Sequence, residues 1–167
     1  MNISIKPIES NSDLKNFIKL PWKIYKNNKC WVPPLTGDMK KQLDPSKNPN
    51  ILKGDHAMFL ALENGEPVGR IYLGIDHELN KKKASSMGYF SLFECVNNSE
   101  ISAAVFDAAV DWFKKKGIDR IYGPVSPSGA DEDEYKGLLV DSFDKPPVLM
   151  NSYNPPYYRN LIESSGF

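Results

Sequence analysis

One acidic residue, Glu94, stands inside an apolar and aromatic run, Tyr89-Phe-Ser-Leu-Phe-Glu-Cys-Val, at positions 89–96. A run of this kind is typical of a strand that is covered on both faces. An acid in such a strand must be solvated in a cleft, paired with a cation, or shifted in its pKa. Two interpretations of Glu94 are therefore open. It is a catalytic base in a cleft, or it forms an ion pair with Arg70 or Arg120 on a neighbouring strand.

The residues after this strand predict a helix and a further strand. Asn98 and Ser99 can cap a helix over residues 99–116, and Gly117 is suited to end it. The helix has a broad apolar face, which indicates burial between layers. Residues 118–125 then predict another strand. Strand, helix and strand with such short joints form a parallel βαβ unit, right-handed by default.

The joint between the first of these strands and the helix is a potential anion site. The first N–H groups of a helix have no partner within it, and the helix dipole is positive at that end. Residues 96–101 occupy this point, which would suit a nucleotide pyrophosphate. The alternative is a plain strand-to-helix joint with a serine cap. Glu100 in the first helical turn would also repel an anion.

The rest of the chain predicts further elements of an α/β fold. A short strand over 3–8 precedes a helix that Pro21 restarts or kinks. The apolar runs 57–63 and 66–75 are separated by Asn-Gly, a strong hairpin signal. Residues 81–86 are lysine-rich and predict a solvated loop. A last helix starts after the Pro-Pro pair at 155–156 and ends near Gly166.

The composition excludes several classes of function. The 167 residues include 21 basic and 21 acidic ones, so no net field would attract nucleic acid or an anionic membrane. No apolar run approaches the length of a membrane span. Cys30 and Cys95 predict reduced thiols in a cytoplasmic protein. His56 and His77 have no partners at metal-ligand spacing, so we expect no metal site.

Three stretches resemble the GCN5-related N-acetyltransferase (GNAT) superfamily, whose members transfer an acetyl group from acetyl-CoA to an amine. FLALENGEPVGRIYL (59–73) is similar to the family's hairpin, and ISAAVFDAAVDWFKKKGIDRIYGPV (101–125) to its helix and strand behind the cofactor loop. NPPYYRNLIESSGF (154–167) resembles its terminal Gly-Phe helix. In addition, LPWKIYKNNKCWVPPL (20–35) resembles the opening of a group of longer bacterial members.

The resemblance implies a fold and a domain organisation. We expect a GNAT-like twisted mixed β-sheet flanked by helices, which lacks the family's final strands. Residues 1–167 are expected to form a single GNAT-like domain that is incomplete at its C-terminus. The exposed edge would then be covered by a second copy of the chain or by a missing C-terminal half.

The resemblance also implies roles for individual residues. Acetyl-CoA would serve as cosubstrate, and Glu94 would take the proton of the amine while Tyr158 protonates the leaving thiolate. The cofactor-binding residues would lie along the strand, at the pyrophosphate joint and before the last helix: Phe93, Cys95, Val96, Asn97, Asn98, Ser99, Ile101 and Asn154. The acceptor would be a small-molecule or peptide amine. The acidic residues 131–134 would attract a cationic acceptor or form a solvated turn.

Two departures from the family pattern support a different function. The strand-helix joint has no glycine, so backbone amides approach a pyrophosphate less closely. The family's proton-donating tyrosine position holds Ile162, and Tyr158 lies one turn earlier on the same face. The alternative to an acyltransferase is therefore a catalytically degenerate GNAT-like module that serves a structural or partner-binding purpose.

Overall fold

The computed structural model of the protein describes residues 2–127, 136–149 and 151–167. The acidic segment 131–134 lies outside these described residues. The elements in chain order are β1 (Ile3–Pro7), α1 (Asn11–Ile24), α2 (Thr36–Gln42), a 3-10 turn (Pro49–Lys53), β2 (His56–Glu63), β3 (Glu66–Gly74), α3 (His77–Lys83), β4 (Met87–Cys95), α4 (Ser99–Lys115), β5 (Arg120–Tyr122) and α5 (Tyr158–Glu163).

The strands form one mixed sheet of five strands in the order β1-β2-β3-β4-β5. The first three pairings are antiparallel, and β4 pairs with β5 in parallel, with Met87 opposite Arg120 and Tyr89 opposite Tyr122. The predicted βαβ unit is therefore confirmed, with α4 as its crossover helix. The Asn-Gly hairpin is confirmed as well. Asn64 and Gly65 both have positive φ angles, 51° and 87°, as a tight hairpin turn requires.

Helices cover both faces of the sheet. On one face, α4 and α5 bury a large apolar cluster, which includes Phe90, Ile101, Val105, Phe106, Phe113, Leu161 and Ile162. On the other face, α1 and α2 pack against the sheet around a second cluster, which includes Phe17, Ile18, Met39, Leu43, Leu60 and Tyr72. The apolar side of α4 points inward, as its broad apolar face predicted.

Two predicted segments differ from the structure. The strand predicted over 118–125 is only three residues long, Arg120–Tyr122. Gly123 and Pro124 follow it, and proline has no N–H to continue the ladder. The lysine-rich segment predicted as a loop begins inside α3. Asp76 caps that helix, because its side chain accepts a hydrogen bond from the backbone N–H of Leu79 at 2.8 Å.

Candidate functional site

Glu94 lies opposite Arg70, next to a bulge in β4. The register runs from Arg70 opposite Glu94 to Tyr72 opposite Ser91, so β4 carries one more residue than β3 across this step. Leu92, inside the bulge, has a φ of 50°, which is uncommon for a residue other than glycine. The bulge re-aims the residues around it, and the side chain of Glu94 is 13% exposed.

The structure brings both predicted catalytic residues together. The hydroxyl of Tyr158, on α5, donates a hydrogen bond to Oε2 of Glu94 at 2.6 Å. The same hydroxyl accepts the backbone N–H of Cys95 at 2.9 Å. Tyr158 is buried, with 2% of its surface exposed. A short bond between a hydroxyl and a carboxyl can pass a proton from one group to the other.

The structure also contains an ion pair between Glu94 and Arg70, as the other interpretation of Glu94 predicted. Nη2 of Arg70 lies 3.6 Å from Oε1 of Glu94, whereas Arg120 forms no such pair among the described residues. The two oxygens of the carboxyl therefore face different groups, one a cation and the other a phenol. An ion pair and a hydrogen bond from a phenol therefore coexist at this carboxyl. The catalytic roles of Glu94 and Tyr158 stay predictions.

The surroundings shift the ionisation of both groups in the same direction. Burial raises the pKa of Glu94, while Arg70 and the hydroxyls of Tyr158 and Tyr25 counteract this. Burial, together with the charge of Glu94, raises the pKa of Tyr158 well above its usual value. Tyr158 is therefore a protonated donor at neutral pH, and Glu94 takes up a proton more readily than an exposed carboxyl.

The raised pKa of Glu94 predicts how stability depends on pH. The folded state binds this proton more tightly than the unfolded state, so the contribution of Glu94 to stability is largest in acid. It is lost as the pH rises from 4.5, the ordinary pKa of a glutamate, through the folded pKa. We expect Glu94→Gln, which resembles the protonated form, to become more stable relative to the wild type across this window. Urea unfolding of both proteins from pH 4 to pH 8 checks this, and a constant difference would contradict it.

At the C-terminal end of β4, where β5 no longer lies beside it, two tyrosine hydroxyls bond the backbone groups of Cys95. The register with β5 ends at Tyr89, and one further bond joins the N–H of Val125 to the carbonyl of Phe90. The N–H of Val96 bonds to β3, so the polar groups of Cys95 point to the opposite edge. Tyr158 accepts the N–H of Cys95, and Tyr157 donates to its carbonyl at 3.0 Å. The predicted cofactor strand thus has its edge at Cys95 occupied by the hydroxyls of the N-cap and the first residue of α5.

The side chains of Phe93 and Cys95 are buried, with 6% and 0% of their surfaces exposed. Both belong to the cluster beneath α4, and burial raises the pKa of the Cys95 thiol to about 12. Neither side chain is open to a ligand. Any contact of these residues with a cofactor would have to use their backbone groups.

A shallow groove of about 490 Å³ opens where α4 begins. Its walls come from the joint before α4 and from one side of α5: Asn97, Asn98, Ser99, Glu100, Asn160, Leu161 and Ser164. The structure therefore places three predicted pyrophosphate residues in one groove. Of the other two residues predicted for this strand and joint, Val96 bonds to Val68 on β3, and the side chain of Ile101 is in the core.

Of the two residues expected to cap α4, the structure uses the asparagine and not the serine. Asn98 is the N-cap, and its Oδ1 accepts from the N–H groups of Glu100 and Ile101 at 2.9 and 3.4 Å. Asparagine is as good a cap as serine, so the sequence Asn-Asn-Ser does not distinguish them. Two of the amides that would hold an anion already have a partner in this cap. The joint is a potential anion site with a weaker set of donors than a glycine-rich loop supplies.

Asn154 lies apart from the groove. Its buried side chain accepts from the N–H of Leu139 at 2.8 Å and donates to the carbonyls of Leu139 and Pro155. It holds the segment 136–140 against the start of α5, so its polar atoms are used within the protein. Among the described residues, no group of three or more His, Cys, Asp or Glu side chains could hold a metal ion.

The comparisons with known proteins give two curated relatives. The chain is 31% identical over 166 residues to Protein YghO of Escherichia coli, and 29% identical over 167 residues to a bacterial ceramide synthase of Caulobacter vibrioides. These alignments cover 98% and 99% of the chain. The chain spans only 41% and 43% of the lengths of the two relatives. No family profile matches the sequence.

Solved structures establish the fold. A tandem GNAT protein from the clavulanic acid biosynthesis pathway superposes with a TM-score of 0.62 at 14% identity, over 99% of this chain and 43% of that one. An aminoglycoside acetyltransferase from a soil metagenome, solved with sisomicin, gives a TM-score of 0.57 at 13% identity, over 99% and 88%. The chain therefore has the fold of the GNAT superfamily, as its sequence resemblance predicted.

Proposed function

We propose that the protein is an acyl-CoA-dependent N-acyltransferase. The observation that supports this most directly is the 2.6 Å hydrogen bond between Tyr158 and Glu94. It places a carboxyl and a phenol in contact, on a GNAT-type sheet, at the strand end next to the groove before α4. A carboxylate that accepts a proton and a hydroxyl that donates one are the two groups that amine acylation needs.

The two residues can act in sequence. Glu94 takes the proton that the amine nitrogen loses as it attacks the thioester carbonyl, and the C–S bond then breaks. Tyr158 donates its proton to the departing sulfur and regains one from Glu94 through their shared hydrogen bond. The proton balance closes without a covalent intermediate, because a deprotonated amine is nucleophilic enough to attack directly.

The groove before α4 is the place we propose for the pyrophosphate of CoA. Asn97 and Ser99 line it, and the positive end of the α4 dipole lies there. The Asn98 cap and the carboxylate of Glu100 oppose an anion there. We therefore propose weak CoA binding, in which the pantetheine arm competes with Tyr157 and Tyr158 for the edge of β4.

Glu100 provides a test of this placement. Glu100→Gln removes an exposed negative charge from the groove, so it should tighten CoA binding roughly 2- to 4-fold at low salt. The gain should shrink as salt is added. Asp111→Asn, an exposed change about three turns further along α4, is the matched control with no expected change. Isothermal titration at two salt concentrations measures it. An affinity that does not respond to Glu100 would place the phosphates elsewhere.

The acceptor class is suggested by the relatives. One relative is named a bacterial ceramide synthase, and the aminoglycoside acetyltransferase was solved in complex with sisomicin. The higher sequence identity is with the first. Among the described residues, several large apolar side chains of the surface loops are exposed: Val32, Leu35, Val140, Val148 and Leu149. We therefore propose a small-molecule amine with apolar character, rather than a peptide, as the acceptor.

Ligand-induced stabilisation separates the acyltransferase from the degenerate module. A ligand that binds only the folded state at 100 times its Kd stabilises that state by about 2.7 kcal/mol. We expect a rise in melting temperature with acetyl-CoA, and a larger one with a long-chain acyl-CoA if the exposed apolar residues bind the chain. Dephospho-CoA and free pantetheine separate phosphate contacts from pantetheine contacts. No shift at millimolar concentrations of any of them would favour the structural or partner-binding module.

The outer edge of β5 is the part of the sheet through which we expect the domain to associate with another chain or segment. No strand among residues 2–127, 136–149 and 151–167 pairs with this edge. In the described part of the chain, no helix is long and apolar enough to cross a membrane. Both cysteines are free, which suits the cytoplasmic location that goes with this proposal. We propose that the domain pairs this edge with a second copy or with further chain of a longer protein.

Sedimentation at micromolar concentrations tests the edge. We expect the 167-residue protein to self-associate through β5, and Ile121→Pro to reduce the association because proline blocks edge pairing. The matched control is Ile5→Pro on β1, at the other edge of the sheet. A monomer in all three proteins would contradict pairing at β5.

A further inference from the structure

A proline inside α1 leaves a backbone carbonyl without its helical partner. In an α-helix the carbonyl of one residue accepts from the N–H four residues later. Pro21 stands four residues after Phe17 and has no N–H to give. Phe17 is fully buried, so water does not supply the missing donor. An unpaired buried carbonyl carries a desolvation cost, and the structure has to satisfy it in another way.

Arg70 supplies the missing hydrogen bond. Its Nη1 donates to the carbonyl of Phe17 at 2.6 Å, and its guanidinium lies 5.0 Å from the centre of the Phe17 ring. Arg70 is 3% exposed, and it comes from β3, 53 residues away in sequence. Pro21 therefore creates an acceptor that an ordinary helix lacks, and a buried cation uses it.

The same guanidinium holds the bulge and the carboxyl of β4. Its Nε donates to the carbonyl of Leu92, the residue with the positive φ angle, at 3.1 Å. Its Nη2 faces Oε1 of Glu94 at 3.6 Å. One side chain thus joins α1, the bulge and the carboxyl. A planar fork with donors in three directions is what arginine offers and lysine does not.

We propose that Arg70 is a positioning residue for Glu94, and that Pro21 anchors it by keeping the Phe17 carbonyl free to accept from it. The catalytic part of this proposal depends on the acyl-transfer function proposed above, whereas the linkage between Pro21, Arg70 and Glu94 does not. The groups that face the carboxyl are Arg70 from β3, Tyr158 from α5 and Tyr25, which caps the C-terminal end of α1. Arg70 is the only cation among them.

A stability cycle tests the anchor without any enzyme assay. Pro21→Ala restores an N–H to α1, and we compare its effect in the presence of Arg70 and in Arg70→Met, both in a Glu94→Gln background that leaves no unpaired carboxylate. With Arg70 present, the new N–H competes for an acceptor already in use. In Arg70→Met it pairs an orphaned carbonyl, so Pro21→Ala should raise the melting temperature by about 3 °C or more beyond its effect with Arg70. Equal effects in the two backgrounds would overturn the proposal.

A second measurement covers the case in which Arg70→Met does not fold. In the stability cycle, Arg70→Lys then replaces Arg70→Met, because lysine keeps the charge but not the planar fork of donors. The second measurement itself is a pH titration. The carboxyl of Glu94 is followed by NMR with carbon-labelled glutamate during a pH titration. We expect Pro21→Ala to move the midpoint by at least about 0.3 pH units, since it competes for the hydrogen bond that fixes Arg70. Lys19→Ala, an exposed change in the same helix, should not move it. An unmoved midpoint in Pro21→Ala would overturn the linkage to Glu94.

Enzyme assays distinguish a failure of the proposed acyl-transfer function from a failure of the positioning role proposed for Arg70. If the protein transfers acyl groups, Arg70→Lys should lower kcat at least tenfold with a small change in the KM for the acyl-CoA, and the acid limb of the pH–rate profile should move with the NMR midpoint. An unshifted profile and an unchanged kcat would overturn the positioning role. If no transfer occurs but the stability cycle and the midpoint behave as expected, the proposed function fails and the linkage stands.

Discussion

Glu94→Gln should lower kcat for acyl transfer roughly 10²- to 10⁴-fold, because the amide cannot accept the proton of the amine. The side-chain shape is preserved, and the amide oxygen can still accept from Tyr158. CoA affinity should stay within a few-fold of the wild type, since the groove before α4 involves other residues. Stopped assays of thiol release, combined with a CoA titration, measure the two quantities separately.

The stability of the same variant distinguishes a base from a structural ion pair. Arg70 keeps its bonds to Phe17 and Leu92 when the carboxylate is removed. We therefore expect the free energy of unfolding to differ from that of the wild type by no more than about 1–2 kcal/mol, in either direction. A loss of several kcal/mol with unchanged kcat would show that Glu94 serves the fold through its pair with Arg70.

Tyr158→Phe should lower kcat roughly 10²-fold or more, because the general acid is lost, and should also destabilise the protein. The ring stays in its apolar site, but the hydroxyl is lost both as the proton donor and as the acceptor of the Cys95 N–H. That buried N–H would then lack a partner, which costs about 1–3 kcal/mol. Kinetics with a pre-activated thioester, whose leaving group needs no proton, should restore most of the lost rate.

Tyr157→Phe is the matched control for this change. Its hydroxyl bonds the carbonyl of the same Cys95, yet it has no hydrogen bond to Glu94. We expect a smaller stability cost and a kcat that falls much less than in Tyr158→Phe. If the two variants lose the same activity, the closing of the β4 edge, rather than proton donation, would be the role of Tyr158.

The fold could be predicted because its signals are local. The Asn-Gly turn, the apolar strand around Glu94 and the wide apolar face of α4 each determine one element from a few neighbouring residues. The short joints around α4 then leave a parallel pair as the only simple arrangement. The prediction of strand 118–125 was too long, because apolar residues continue past the point at which Pro124 interrupts the ladder.

Only part of the site could be predicted. Glu94 was found because an acid in an apolar strand is conspicuous. Tyr158, 64 residues away in sequence, was assigned its role by the resemblance alone, and its hydrogen bond to Glu94 was not predicted. The choice between Arg70 and Arg120 needed the register of the sheet. The role of Tyr157 has no sequence signal, because it depends on which way the groups of Cys95 point.

The hydrogen bond from Arg70 to the Phe17 carbonyl also could be predicted only in part, because it depends on tertiary packing. A proline in α1 predicts a free carbonyl at Phe17, but the sequence does not say which donor meets it. A buried charge on β3 predicts that some partner exists, but not that it is a helix carbonyl. Each half of the interaction is visible in the sequence, and only the packing of α1 on the sheet joins them.

Thiol release from an acyl-CoA in the presence of an amine tests the central claim most directly. The wild-type protein is incubated with acetyl-CoA or a long-chain acyl-CoA and a panel of small amines, and free CoA thiol and the amide product are followed together. We predict amine-dependent release with matching amide formation, which Glu94→Gln and Tyr158→Phe abolish or reduce as described. Binding of acyl-CoA without amide formation for any amine, or equal release by Glu94→Gln, would contradict the assignment of Glu94 and Tyr158 as the proton-transfer pair of an acyltransferase.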